Sequence, residues 1–242
     1  MLVVPVYKEE KILERNVIRL EEYLKQKNIN FDLVLSIDDS GDKSIDIGRK
    51  LEKEYENIHI IEHKRKMGRG FAVREAWSKY DADLYAFIDA DLAMNIDVIT
   101  TAYNVISKEN LDGIIASRYV DGSQLSRPKL REIISKIYNV ILRIIFNDDI
   151  MDHQCGFKMI SKNAKDKVLN LTKISSWFWD AELVIIMNAF KMKIKEYPVL
   201  WVENKYKKTS LKRLLNDVII HGYGIAYLYI ELHRIKKGMK NG

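Results

Sequence analysis

The chain has 242 residues, 47% of them apolar, enough for one substantial core, and no low-complexity tract or internal repeat divides it. No run of 18 uncharged apolar residues occurs: Ile133–Phe146 contains Lys136 and Arg143, and Val218–Leu232 contains His221 and Glu231, so no membrane-spanning helix is expected. The single cysteine, Cys155, excludes an intramolecular disulfide and a thiolate-rich metal centre, while a formal charge of +6 suits an anionic partner.

The first half alternates between two hydrophobic periods. Met1-Leu2-Val3-Val4-Pro5 reads directly as a strand, without the basic region and apolar stretch of a signal peptide, so a cytoplasmic protein is expected. Strands are predicted at Leu2–Val6, Phe31–Ile37, Ile58–Glu62, Leu84–Ile88 and Gly113–Ser117. Helices are predicted at Ile12–Gln26, Ile45–Tyr55, Gly70–Lys79 and Ile96–Lys108. This order predicts an α/β fold with a mainly parallel sheet flanked by helices, in which ligands bind beyond the carboxyl ends of the strands.

After Ser117 a polar loop, Arg118–Arg127, leads to a predicted helix over Pro128–Phe146. Its apolar stripe, Leu130, Ile133, Ile134, Ile137, Tyr138, Ile141, Leu142 and Ile145, suits either a membrane surface or packing on the sheet. A helix beginning near Trp179, an extended segment Ile194–Trp201 and a last helix over Ser210–Lys236 complete the pattern. The C-terminal region is basic, with Lys205, Lys207, Lys208, Lys212 and Arg213 ahead of Lys236, Lys237 and Lys240.

Asp89-Ala90-Asp91 ends the apolar run Leu84–Ile88. Alternate side chains of an extended segment point the same way, so both carboxylates can meet one hard cation; they also suit the cap of a following helix. Asp38-Asp39-Ser40-Gly41-Asp42 follows the second strand, where a carboxylate can accept the ring N–H of a nucleobase, although these are also ordinary turn residues. Lys64–Arg74 places Gly68, Gly70 and several cations at a helix start, an arrangement suited to a diphosphate, without a P-loop or dinucleotide-binding glycine pattern. Trp177 and Trp179 read as packing residues before sugar platforms, Asp180 and Glu182 suit a helix start, and Cys155 reads as an inert core thiol.

Taken in order, these segments resemble the family 2 glycosyltransferases of the GT-A fold. Pro5-Val6-Tyr7-Lys8-Glu9-Glu10 is similar to that family's opening strand and loop, Asp38–Asp42 to its Asp-Asp-Gly-Ser-x-Asp segment, and Asp89-Ala90-Asp91 to its metal-binding carboxylates. Ser117-Arg118-Tyr119, Asp152-His153-Gln154-Cys155-Gly156-Phe157-Lys158 and Trp177–Leu183 resemble enzymes that glycosylate dolichyl or other polyprenyl phosphates, the glucosyl branch more than the mannosyl one. Departures are the inverted Ser40-Gly41, Arg69 in place of a common lysine, and Ala93 in place of a glutamine.

The resemblance implies a single Rossmann-like GT-A domain over 1–242, with 1–117 binding the nucleotide sugar and 118–242 binding the acceptor and the membrane surface through amphipathic C-terminal helices. It implies inverting transfer of a hexose, glucose before mannose, from UDP-glucose or GDP-mannose to polyprenyl phosphate on the cytoplasmic face of a membrane. Mg2+ or Mn2+ would be held by Asp89 and Asp91, and the donor by Pro5, Tyr7, Glu9, Asp39, Lys66, Gly68, Arg69, Asp89 and Ala90. Arg118 and Arg131, with Arg127 a third, would grip the acceptor phosphate, giving a catalytic set of Asp89, Asp91, Arg118 and Arg131. A mannosyl donor, a saccharide acceptor and a noncatalytic basic module remain as alternatives, the last without any nucleic-acid motif.

Overall fold

The structure, a computed structural model, describes residues 1–203 and 211–240. Lys205, Lys207 and Lys208 lie outside the described residues, as do the side chains of Lys212, Arg213, Lys236 and Lys240. The first half alternates as its hydrophobic periods require: β1 (Leu2–Val6), α1 (Leu13–Gln26), β2 (Leu33–Asp38), α2 (Ser44–Glu54), β3 (Ile58–His63), α3 (Arg69–Lys79), β4 (Leu84–Ile88), α4 (Asp97–Lys108) and β5 (Gly113–Ser117). Then follow β6 (Gln124–Ser126), α5 (Lys129–Phe146), β7 (Phe157–Ser161), α6 (Lys162–Val168), α7 (Trp179–Ala189), β8 (Ile194–Pro198), β9 (Leu200–Val202) and α8 (Leu211–Lys240).

Seven strands form one sheet in the order β3-β2-β1-β4-β7-β5-β8, and β6 pairs with β9 in a separate ribbon. Every pairing in the large sheet is parallel except those of β7, which runs antiparallel to both β4 and β5. Sequence reading placed no strand at Phe157–Ser161. Lys158 interrupts its apolar run, yet that side chain is fully buried, its ammonium 5.5 Å from the Phe87 ring centre and donating to the Cys155 carbonyl at 3.0 Å. β6 and α6 are the other elements the periodicity missed.

Period-two alternation divides the strand side chains between two cores. Leu2, Val4, Val6, Ala86 and Ile88 face α1, α2 and α4, where Leu13, Val17, Leu51, Val98 and Ile99 meet them. Val3, Tyr85 and Phe87 face the opposite layer, built by Trp77 of α3, Val168 of α6, Trp179 and Leu183 of α7, and Leu228 and Leu232 of α8. Trp77, Phe87 and Trp179 form a ring trio with centres 5.5 to 6.4 Å apart. Trp179 is therefore a packing residue, two positions from the cleft-lining Trp177.

Only part of the α5 stripe packs on the core: Leu142 is buried in the layer of Trp77 and Trp179, with Tyr138 partly buried against it. This helix buries Asn139 and Leu142, while Leu130, Ile133, Ile137 and Ile144 are more than half exposed. On α8, Val218, Ile219, Tyr223 and Ile230 are likewise exposed, and Gly224 sits where a Cβ would lie 2.4 Å from the Phe178 ring. Among the described residues no helix is long and apolar enough to cross a membrane.

Phe87 joins β4 to the aromatic trio, so Phe87→Ala removes a ring that no neighbour can replace. The expected loss is about 3–5 kcal/mol, measured as a lower midpoint in urea unfolding.

Candidate active site

A cleft of about 450 Å³ opens at the carboxyl ends of β1, β2 and β4. Pro5, Tyr7, Glu9, Lys66, Gly68, Arg69, Asp89, Ala90 and Asp91 line it, as do Asp38, Met67 and, from the second half of the chain, Ser175, Ser176, Trp177 and Ile220. Lys66 places its ammonium 4.5 Å from the Tyr7 ring centre, so two elements distant in sequence share one wall.

The acidic step is a built turn. Leu92 N–H donates to the Asp89 carbonyl at 3.1 Å, with Leu92 held at φ 45°, a costly conformation for a branched residue. Asn16 of α1, buried, donates its amide to the Ala90 carbonyl at 2.8 Å, and Ala93 N–H donates to Asp91 Oδ1 at 3.3 Å. Neither aspartate caps a helix: α4 begins at Asp97, after Ile96, which makes no side-chain cap bond. Asp89 rests against Gly156, whose added Cβ would lie 2.0 Å from Asp89 Oδ2.

Asp89 and Asp180 share Arg69. The guanidinium lies 2.5 Å from Asp89 Oδ1 and 3.0 Å from Asp180 Oδ2, the first contact without hydrogen-bond alignment. Burial pushes Asp89 up to about 7, against the pull of Arg69 and with a further push from Asp91. Burial also raises Asp180, whose Oδ1 has no hydrogen-bond partner. For Arg69 burial opposes the charge, but Asp180 and Asp89 outweigh it and hold the group above its ordinary value.

The cleft wall carries the carboxylates of Glu9, Asp38, Asp89 and Asp91 and no imidazole or thiolate, a donor chemistry that fits a hard oxygen-seeking cation. Among the described residues no group of three or more His, Cys, Asp or Glu side chains is arranged to hold a metal by itself. Asp89 and Asp91 would thus hold a divalent cation only together with oxygens of a bound phosphate, the usual situation for Mg2+.

Three sequence expectations change. Asp39 does not line the cleft; its Oδ1 accepts from Gly41 N–H at 2.9 Å in an exposed turn, and alternation along β2 turns Asp38 inward instead. Three of the backbone N–H groups around Gly68 and Gly70 are already engaged within the protein: Met67 and Gly68 donate to Asp38 Oδ2, and Gly70 donates to the Ser175 carbonyl. A Cβ on Gly68 would lie 2.4 Å from the Ser175 carbonyl oxygen and one on Gly70 2.4 Å from that of Ile174, so both glycines seat the 174–176 segment.

Arg118 is buried and grips Asp152 with Nε and Nη2 at 2.7 and 2.8 Å, beside Trp201 and away from the cleft. Burial opposes both charges, yet the pair holds Asp152 low and Arg118 high. Arg131 and Arg127 converge on Glu203, Arg127 at 3.6 Å. Cys155 is buried and burial pushes its thiol up to about 12, so it stays inert.

Four groups that shape this site were not among the site residues expected from the sequence. Asp180 anchors Arg69, and buried Lys158 adds a nearby positive charge, although burial lowers its proton affinity. Glu182 accepts from Lys173 and Ile174 N–H, both at 2.9 Å, fixing the start of the segment that carries Ser175, Ser176 and half-exposed Trp177. His63 joins Asp38. Asp180, Glu182 and Lys158 stand within motifs legible in the sequence; their burial is not.

Gly156→Ala displaces the Asp89 carboxylate and is expected to weaken divalent-cation binding about tenfold or more, measured by titration calorimetry with Mn2+. Arg118→Ala leaves Asp152 buried without its partner and should cost about 3–5 kcal/mol of stability, read in urea. A residue serving only to grip a substrate would leave that stability unchanged.

The sequence profile of glycosyl transferase family 2 matches residues 1–169. Among curated proteins, the chain is 27% identical to glycosyltransferase AglD of Haloferax volcanii, covering 96% of this chain but 37% of the relative. It is 28% identical to dolichyl-phosphate beta-glucosyltransferase ALG5A of Trichomonas vaginalis, over 90% of this chain and 71% of the relative. Dolichol-phosphate mannosyltransferase of Pyrococcus furiosus is 25% identical, over 98% and 66%. Among solved structures, glucosyl-3-phosphoglycerate synthase from Mycobacterium tuberculosis, in complex with Mn2+, UDP and glucosyl-3-phosphoglycerate, has a TM-score of 0.66 at 14% identity, covering 96% of this chain and 79% of that one. With the profile spanning well over half of a chain that carries the expected sheet and acidic step, this protein belongs to glycosyl transferase family 2.

Proposed function

We propose that the protein transfers glucose, with inversion, from a nucleotide-diphosphate sugar to the phosphate of a polyprenyl lipid. The observation that carries this reading is the cleft itself: Asp89 and Asp91 stand at its floor where β4 ends, beside Tyr7, Lys66 and Asp38. The names of the Trichomonas relative and of the dolichyl-phosphate beta-glucosyltransferases of Drosophila melanogaster and Saccharomyces cerevisiae favour glucose and a dolichyl-type acceptor. The Pyrococcus relative supports mannose as the second reading.

The nucleobase would lie against Tyr7 and Glu9, with Asp38 rather than Asp39 nearest its ring N–H. Asp89 and Asp91 would hold Mg2+ or Mn2+ with the diphosphate, and that cation offsets charge on the departing nucleotide. Arg69 keeps the Asp89 carboxylate in place, and Lys66 offers a cation to the phosphates. The acceptor phosphate, with a second pKa of about 6, is largely ionised at neutral pH. Positioning and charge stabilisation therefore do the work that a general base does for a hydroxyl acceptor.

Arg118 is committed to Asp152, so Arg131 and Arg127 are the arginines left to meet an acceptor, in competition with Glu203. They stand near the acidic turn, since Val202 N–H donates to the Ala93 carbonyl at 2.7 Å. The exposed face of α5, which begins beside Arg127, would rest on the membrane and let the isoprenoid chain stay in lipid. On this reading the protein would act as a peripheral protein on the cytoplasmic face of the membrane.

Labelled UDP-glucose, UDP-GlcNAc and GDP-mannose, each offered with polyprenyl phosphate, test the reading. Transfer from UDP-glucose to an acid-labile lipid product is expected, and no transfer from any donor would overturn it. Asp91→Ala should lower metal-dependent turnover by about 10²-fold or more.

A further inference from the structure

We infer that His63 is a positioning residue for the donor: as an imidazolium it clamps Asp38, and through Asp38 the Met67–Gly68 backbone, against the cleft. The inference rests on the proposed use of that cleft for a nucleoside diphosphate sugar. It adds a proton-dependent element that lies outside the cleft wall.

The geometry is a chain of four links. Glu75 of α3 approaches His63 Nε2 at 2.5 Å, and His63 Nδ1 lies 2.9 Å from Asp38 Oδ1. Asp38 Oδ2 accepts from Met67 N–H at 3.0 Å and Gly68 N–H at 2.9 Å. Gly68 adjoins Arg69, which holds Asp89. The imidazole is buried, with the Phe71 ring edge-on at 5.5 Å. Ionised carboxylates only accept hydrogen bonds, so a ring with one on each nitrogen must donate from both. That state is the cation.

The titratable groups facing the ring are Asp38 from β2 and Glu75 from α3. The Asp38 bond raises the proton affinity of His63, burial opposes it, and the Glu75 bond adds to the rise. For Asp38 burial works upward, but His63 and the Gly68 N–H outweigh it and hold the carboxyl low. The folded value of His63 thus lies above its ordinary value of about 6.5. Its stabilisation is complete below that ordinary value and is lost as pH rises through the raised folded one. Above that point the Nε2 lone pair faces the Glu75 carboxylate, the clamp loosens, and donor affinity falls.

Asp38 supplies the only carboxylate on the cleft wall from β2, and three hydrogen bonds occupy part of its acceptor capacity from within the protein. A carboxylate has about four acceptor positions. The clamp therefore fixes which of them is left toward the cleft, which is a constraint on donor orientation and not on the transfer step. The effect belongs in the donor KM before kcat.

The test follows UDP binding by calorimetry with Mn2+, and donor KM and kcat, between pH 6 and 9 in the wild type, His63→Asn and Glu75→Gln. His63→Asn keeps a donor toward Asp38 without the charge. The expected result is donor affinity that weakens about tenfold toward alkaline pH in the wild type, a limb missing in His63→Asn and moved to lower pH in Glu75→Gln, with kcat changing less than KM. Imidazole ring NMR should show the doubly protonated form predominating in the wild type at pH 6.5, where an unperturbed imidazole is about half neutral. A neutral tautomer there, or UDP affinity with the same pH profile in all three proteins, would overturn the inference. Absence of UDP binding by the wild type at every pH would instead remove the donor reading, and the inference with it.

Discussion

A single buried guanidinium organises the centre of this molecule. Arg69, at the first turn of α3, lies between Asp89 at the end of β4 and Asp180 at the start of α7, with Lys158 of β7 close by. Taking such charges out of water costs several kcal/mol per ion, so the group persists only because each charge has an opposite neighbour. Arginine suits the position because its planar fork reaches two carboxylates at once, which a lysine ammonium does less well. The aromatic trio beneath excludes water, and the Phe87 and Trp177 rings stand 5.0 and 4.8 Å from the guanidinium carbon. Core packing and active-site electrostatics thus meet in one side chain.

The same economy governs the glycines. Gly68 and Gly70 look from the sequence like an open phosphate cradle, yet their missing side chains make room for the carbonyls of Ser175 and Ile174. Gly156 makes room for the Asp89 carboxylate. In each case close approach of two chain segments replaces a ligand contact as the reason for glycine. The cleft wall consequently owes its shape to residues on both sides of Ser117.

How much of this was legible depended on whether the deciding force was local. β1, β4 and β5 have the bounds that apolar runs predict, because strands buried on both faces carry nearly continuous apolar sequence. β7 escaped notice because Lys158 breaks the pattern, and only the assembled neighbours make that burial tolerable. Spacing put the aspartates of the acidic step together at the end of β4, where they line the cleft, but did not choose between a cation and a helix cap. Asp38 against Asp39 was not legible, since the choice depends on which face of β2 turns to the cleft. Arg118 and Arg131 were recognisable as a pair of cations, but Asp152 and Glu203 lie 34 and 72 residues away from them in the chain. Partners at that distance leave no mark in local sequence.

The position of β7 has a consequence for how the chain comes into being. β4 and β5 are consecutive strands, yet they never touch as neighbours in the sheet; β7 lies between them, and β8 covers the outer side of β5. When the ribosome has made residues up to Ser117, β5 has neither partner, and β4 lacks one of its two. Closing those gaps waits for residues 157–161 and then 194–198, and loop closure over such spans is slow. The acidic turn reaches its final form only with Gly156 beside Asp89. Chemistry at the cleft becomes possible only after the sheet has closed behind it.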